Sequence, residues 1–203
     1  MKKRYMLNRI FISGALASFF MISPDVLHAQ LTEFEPIFYH QKSLSIQKTG
    51  MIVLSSWASL NILSGFIGNY HYSNDAKYFF QMNGAWNIVN LGIATYGLAS
   101  IAHTAFDMES SLMLSEMQKF DRILLINAGL DLIYIATGSY LLNKGLSENK
   151  SRFVGYGRSL ILQGGFLLLF DLILYFSHYP YTKSLFQITE QINFTTAGIS
   201  ISF

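Results

Sequence analysis

The chain has 203 residues, of which 51% are hydrophobic, 15% aromatic and only 13% charged, with mean hydropathy +0.32. A soluble domain carries about 25% charged residues, so this balance points to a membrane protein. A formal net charge of +2 argues against a nucleic-acid partner, and the absence of cysteine excludes disulfide scaffolds, thiol catalysis and Cys-based zinc sites.

The first stretch, "MKKRYMLNRIFISGALASFFMISPDVLHAQ", has the parts of a secretory signal. Lys2, Lys3 and Arg4 precede an apolar run from Ile10 to Ile22, followed by Pro24 and a small residue at Ala29. Cleavage after Ala29 would give residues 1–29 as signal peptide and Gln30 as the mature N-terminus. The alternative is an uncleaved anchor helix, but the run is shorter than the roughly 20 residues that span a bilayer. Residues 30–48 then read as a periplasmic lead-in.

Four apolar segments follow over residues 49–178. Met51–Tyr70 and Phe79–Ala102 contain no charge, Ile123–Leu142 contains only Asp131, and Ser159–Ser177 contains only Asp171. Each has the length a helix needs to cross about 30 Å of hydrocarbon. Barrel strands would alternate and be about half as long. The fold class expected is an all-α membrane protein, a four-helix transmembrane bundle.

The connections set its direction. Residues 143–158 carry Lys144, Lys150, Arg152 and Arg158 against Glu148, and 71–78 carry Lys77 and Asp75. Residues 103–122 carry Asp107, Glu109, Glu116 and Asp121 against Lys119 and Arg122. Lys and Arg stay on the cytoplasmic side, so 103–122 is read as periplasmic and both mature termini lie outside. The expected location is the bacterial inner membrane, with 179–203 a periplasmic tail.

Within the spans, "ASLNILSGFIGNY" (58–70) aligns with "AGLDLIYIATGSY" (128–140), and "QMNGAWNIVNL" (81–91) with "LQGGFLLLFDL" (162–172). Asn61 faces Asp131 and Asn90 faces Asp171, so the bundle reads as two repeated helical hairpins about a pseudo-two-fold along the membrane normal. Asn61, Asn83, Asn87, Asn90, Asn127, Asp131, Gln163 and Asp171 fall on helical stripes shared with glycines. These are expected to form an inward polar face, where small residues allow close approach and polar ones pair across helices. An aspartate inside a membrane helix is a functional candidate by default. Asp131 and Asp171 could share a proton, bind a cation or relay protons; the plainer reading is that they hydrogen-bond amides and fix helix pairing.

Other residues read as ordinary. His40, His103 and His178 sit near span edges. Trp57 and Trp86 pack in the bundle, each indole needing an acceptor. Met108–Phe120 reads as a short amphipathic helix on the outer interface, with Met113, Met117 and Phe120 on one side. His71 and Asp75 have a spacing that could hold a metal but lack a third ligand. The tail "FTTAGISISF" alternates like a barrel strand, without other strands to join. No Gly-rich phosphate loop, Ser-His-Asp spacing or HExxH motif is present. No cofactor or metal is expected, and enzymatic activity is the least favoured class.

The stretches "MIVLSSWASLNILSGFIG", "YFFQMNGAWNIVNLGIA" and "QGGFLLLFDL" resemble a family of small uncharacterised bacterial multi-pass membrane proteins, a domain of unknown function. The resemblance covers about residues 45–178 and implies weight on Trp57, Asn61, Asn83, Trp86, Asn90, Gln163 and Asp171. It implies a membrane location and no activity. The expected function is a non-enzymatic packing or interaction component with a polar intramembrane face. The alternative is a small channel or carrier for protons or a small solute using Asp131 and Asp171. The partners expected are the lipid bilayer and either a second copy of the chain or another membrane protein.

Overall fold

The structure is a computed structural model that describes residues 24–104 and 108–200, with side chains over 35–104 and 108–191. Most of the expected signal, residues 1–23, lies outside the described residues. Four helices make up the fold: α1 (Pro24–His71), α2 (Asn74–Ala102), α3 (Ser110–Ser147) and α4 (Ser151–Ser200), with no strand among the described residues.

Two tight turns make two hairpins. Between α1 and α2 only Tyr72 and Ser73 are non-helical, and between α3 and α4 only Glu148, Asn149 and Lys150. Asn74 (φ 54°) and Asn149 (φ 53°) take the left-handed backbone these reversals need. Asparagine tolerates that region better than most side chains. Connections this short force antiparallel neighbours. The basic loops expected over 71–78 and 143–158 are therefore mostly helix, and their charges project from helix ends. Arg158 Nη1 donates to Asp75 Oδ2 at 2.6 Å and ties the two hairpins together there. Lys150 lies 2.6 Å from Glu148 Oε2, and its hydrogen bond holds that carboxyl below the usual range.

Glycine allows the close approach inside each hairpin. A Cβ on Gly65 would lie 2.6 Å from the Gly84 Cα, and one on Gly138 would lie 2.8 Å from the Gly157 carbonyl oxygen. Neither fits without separating the helices. Helix α4 packs against all three other helices and forms the centre of the bundle.

Beside an apolar core, several polar side chains are buried while large apolar ones stand exposed. Asn83, Asn87, Asn90, Asp131, Gln163 and Asp171 are buried, whereas Phe66 (79%), Tyr96 (78%) and Phe176 (68%) stand exposed. Soluble domains bury the second class and expose the first. By length and composition α1, α3 and α4 are long and apolar enough to cross a membrane. Helix α2 is not among them; Gln81, Asn83, Asn87 and Asn90 lower its mean hydropathy.

Three helices run past the expected spans. The lead-in and the tail both continue as helix, within α1 and α4 respectively. Helix α3 likewise begins at Ser110 and carries no break before its apolar segment. The separate interfacial helix expected over Met108–Phe120 is therefore the first turns of α3. Its Met113 and Met117 are buried against Leu185 of α4, with Ile37, Tyr39 and Tyr181 packed around them. Packing against two helical extensions wins over lying flat on an interface because it encloses both methionines fully. The alternating tail is helical through Ser200, where no neighbouring strand offers it a ladder.

Candidate functional site

The polar stripes converge in three places. In the first, four side chains close a ring across α1, α2 and α4. The Trp57 indole Nε1–H donates to Gln163 Oε1 at 3.1 Å, and Gln163 Nε2 donates to Asn83 Oδ1. Asn83 Nδ2 then donates to Asn61 Oδ1 at 2.7 Å, and Asn61 Nδ2 returns to the Trp57 carbonyl at 2.8 Å. The Trp57 ring lies flat on Phe166, centroids 3.8 Å apart, which holds its N–H on Gln163. Along α2 the ladder continues: Asn90 Nδ2 donates to Asn87 Oδ1 at 3.3 Å, and Asn87 Nδ2 to the Asn83 carbonyl at 2.8 Å. The stripe of amides in α2 is the inner face of a bundle helix.

The second place is an acid pair. Asp131 of α3 and Asp171 of α4 are buried neighbours. Two carboxyls held close together away from water disfavour carrying a charge each. Asp131 Oδ2 is buried with no partner, and no lysine, arginine or histidine is ion-paired with either carboxyl among the described residues. A cavity of about 340 Å³ has Asp171 and Asn127 in its wall at one end and His40, Glu116 and Lys119 at the other. Asn127 is half-buried. The eight expected polar residues thus divide. Asn61, Asn83 and Gln163 join with Trp57 in the ring, Asn87 and Asn90 extend it, and Asp131 and Asp171 stand apart with Asn127.

The third place was not visible in the sequence. At the end of the bundle where α1, α3 and α4 overrun the apolar segments, Ser43 Oγ lies 2.6 Å from His178 Nε2. His178 Nδ1 lies 2.7 Å from Asp121 Oδ1. Gln47 Nε2 donates to Ser43 Oγ at 3.0 Å. Ser43 and His178 are fully buried, and Asp121 nearly so. Beside them, His40 is buried with Nε2 3.7 Å from Glu116 Oε2. His40 and His178, expected as ordinary rings near span edges, are instead buried with partners, because the helices continue past the apolar segments. The sequence carries no Ser-His-Asp spacing, and these three residues meet only because three helices bring them together.

Two other candidates lie outside these clusters. Trp86 packs edge-on against Tyr134 at 4.8 Å, but its Nε1 is buried without the acceptor an indole needs. His71 Nδ1 meets the Ile67 carbonyl at 3.1 Å while Asp75 pairs with Arg158, so the two do not converge.

No curated protein and no solved structure matches the chain at a significant level. The model of a family of unknown function, DUF6992, matches residues 53–172. That segment takes in the whole amide ring and the acid pair, and leaves Ser43 and His178 outside. It covers more than half of the chain, which therefore belongs to the DUF6992 family.

Proposed function

We propose that this chain is an integral protein of the bacterial inner membrane, with four spanning helices in two hairpins, and that Asp131 and Asp171 form its proton-exchanging site. The observation that carries this reading is the cavity. It has Asp171 in its wall at membrane depth and His40, Glu116 and Lys119 at the opposite end. Two neighbouring buried carboxyls, without a cationic partner and with one of them in the wall of a cavity, have the parts of a proton donor and acceptor. The exposed belt of Phe66, Tyr96, Ile173 and Phe176 supports insertion in lipid. Helix α2 spans with the rest because α1 and α4 satisfy its amides, leaving its apolar face outward.

Matched contacts support the repeat. Asn83 meets Asn61 in the first hairpin, and Gly164 approaches the Asp131 carbonyl in the second. Gly68 meets Phe80, and Gly138 meets Ile161. The charge bias supports a cytoplasmic position for the turns at 72–73 and 148–150 and a periplasmic one for 103–109. A periplasm-active reporter is expected to work when fused at Ser115 and fail at Glu148; the reverse result overturns the orientation. Mass spectrometry of the mature protein is expected to find Gln30 first.

The test of the acid site is infrared titration of the purified protein in lipid. A protonated carboxyl stretch that responds to pH is expected, and Asp131→Asn and Asp171→Asn should each remove or displace it while leaving the fold intact. A spectrum without such a band overturns proton exchange. The second reading, a packing component with a polar inner face, would then stand on the closed amide ring alone.

A further inference from the structure

The geometry points to Ser43, His178 and Asp121 as a nucleophile–base–orienter triad that cleaves a carboxylic ester borne on a long acyl chain. Gln47 donates to Ser43 Oγ, which leaves the serine hydroxyl able to donate to His178 Nε2 when His178 Nδ1–H donates to Asp121 Oδ1; the Thr182 hydroxyl also lies 3.4 Å from Nδ1. A serine in reach of an imidazole whose other nitrogen is held by a buried carboxylate is the arrangement that activates a hydroxyl, whatever fold carries it. Nothing in packing alone requires this chemistry at the site. A buried carboxylate with its second oxygen, Asp121 Oδ2, unpartnered is costly, and an apolar residue would fill the seam at less cost.

The surroundings fit an acyl ester. Ile46 and Gln47 lie three and four residues after Ser43, one helical turn on. Ile46 lines an apolar groove of about 560 Å³ between α1 and α4, while Gln47 lines the cavity on the other side. Ser43 itself is fully buried one turn below them, behind the linings of both. The groove runs along Gly50, Val53, Leu169 and Ile173 and includes Ser177, the neighbour of His178. Its volume lies within the usual range for ligand sites, about 300–1,000 Å³. Its wall suits an acyl chain, and the adjoining seam, once Gln47 releases Ser43, suits the ester carbonyl.

The step balances with water as co-reactant. Ser43 Oγ attacks the carbonyl carbon as its proton passes to His178 Nε2. The Gln47 amide, freed from Oγ, can donate to the oxyanion. Collapse breaks the ester C–O bond, and the His178 proton leaves with the alcohol. Water, deprotonated by His178, then cleaves the acyl–Ser43 ester, releasing the carboxylic acid and restoring the hydroxyl.

The test is covalent labelling of the full folded chain in lipid with a long-chain alkyl fluorophosphonate, the modified residue being located by mass spectrometry. Modification at Ser43 is expected, at least tenfold faster than with a short-chain analogue. Asp121→Asn is expected to slow it by about 10³-fold or more, and Gln47→Ala by about 10²-fold. Because wild-type labelling is decisive, a Ser43→Ala variant that fails to fold does not weaken the test. No modification of the folded protein, or modification only at another serine or only after unfolding, overturns the proposal. The triad shares no residue with the acid pair, so its failure leaves the proton-exchange reading untouched, and the reverse also holds.

Discussion

The amide ring and the acid pair are both built from buried polar side chains, yet they differ in closure. In the ring, Trp57, Gln163, Asn83 and Asn61 pass one donor to the next until the circuit returns to its own backbone. In the acid pair, one oxygen of Asp131 is left over and a cavity borders Asp171. A closed neutral circuit holds helices in register, each of its amide groups having a partner within the circuit. The acid pair is not closed in this way, and it is the pair that the proposed proton exchange uses.

Several measurements break or sharpen this contrast. The largest effect is expected where the ring depends on close approach. Gly65→Val forces a side chain into the Gly84 backbone, and should cost about 3 kcal/mol or prevent assembly, read by reversible unfolding in mixed micelles. Asn83→Leu strands both Gln163 Nε2 and Asn61 Oδ1, and should cost about 2 kcal/mol in the same assay. Trp57→Phe keeps the stacking on Phe166 but removes one donor, for about 1 kcal/mol. Asp131→Asn and Asp171→Asn keep shape and hydrogen-bonding capacity, so each should cost less than about 1 kcal/mol. If either asparagine variant destabilised the bundle more than Asn83→Leu, the contrast would be reversed and the acid pair would be the structural element. Smallest of all, Arg158→Ala breaks a half-exposed ion pair with Asp75 and should change stability by about 0.5 kcal/mol or less.

Much of this was legible in the sequence because it follows from periodicity. Asn83, Asn87 and Asn90 recur at helical spacing within an apolar run, so their shared face can be read directly, and the structure buries all three. Asp131 and Asp171 were legible as inward residues for the same reason. Their closeness to each other was less so, because the pairing of residues from different helices depends on rotation and depth. Gln163 illustrates the gap. Spacing identifies it as inward, but only the stacking of Trp57 on Phe166 and the close passage of α2 bring it between Trp57 and Asn83.

The sequence by itself determined the helical class, the two hairpins and the residues of the inner stripes. These rest on local facts: run length and a period of 3.6. Only the tertiary structure decided which stripes meet. It also decided that α1, α3 and α4 continue beyond the apolar segments, where Met113, Met117 and Leu185 bury one another. That outer packing brings Ser43, Asp121 and His178 within hydrogen-bond reach from positions far apart in the chain. Hydropathy loses its signal where a helix leaves the apolar region, while the packing of one helix on another continues, and the third cluster lies in that interval.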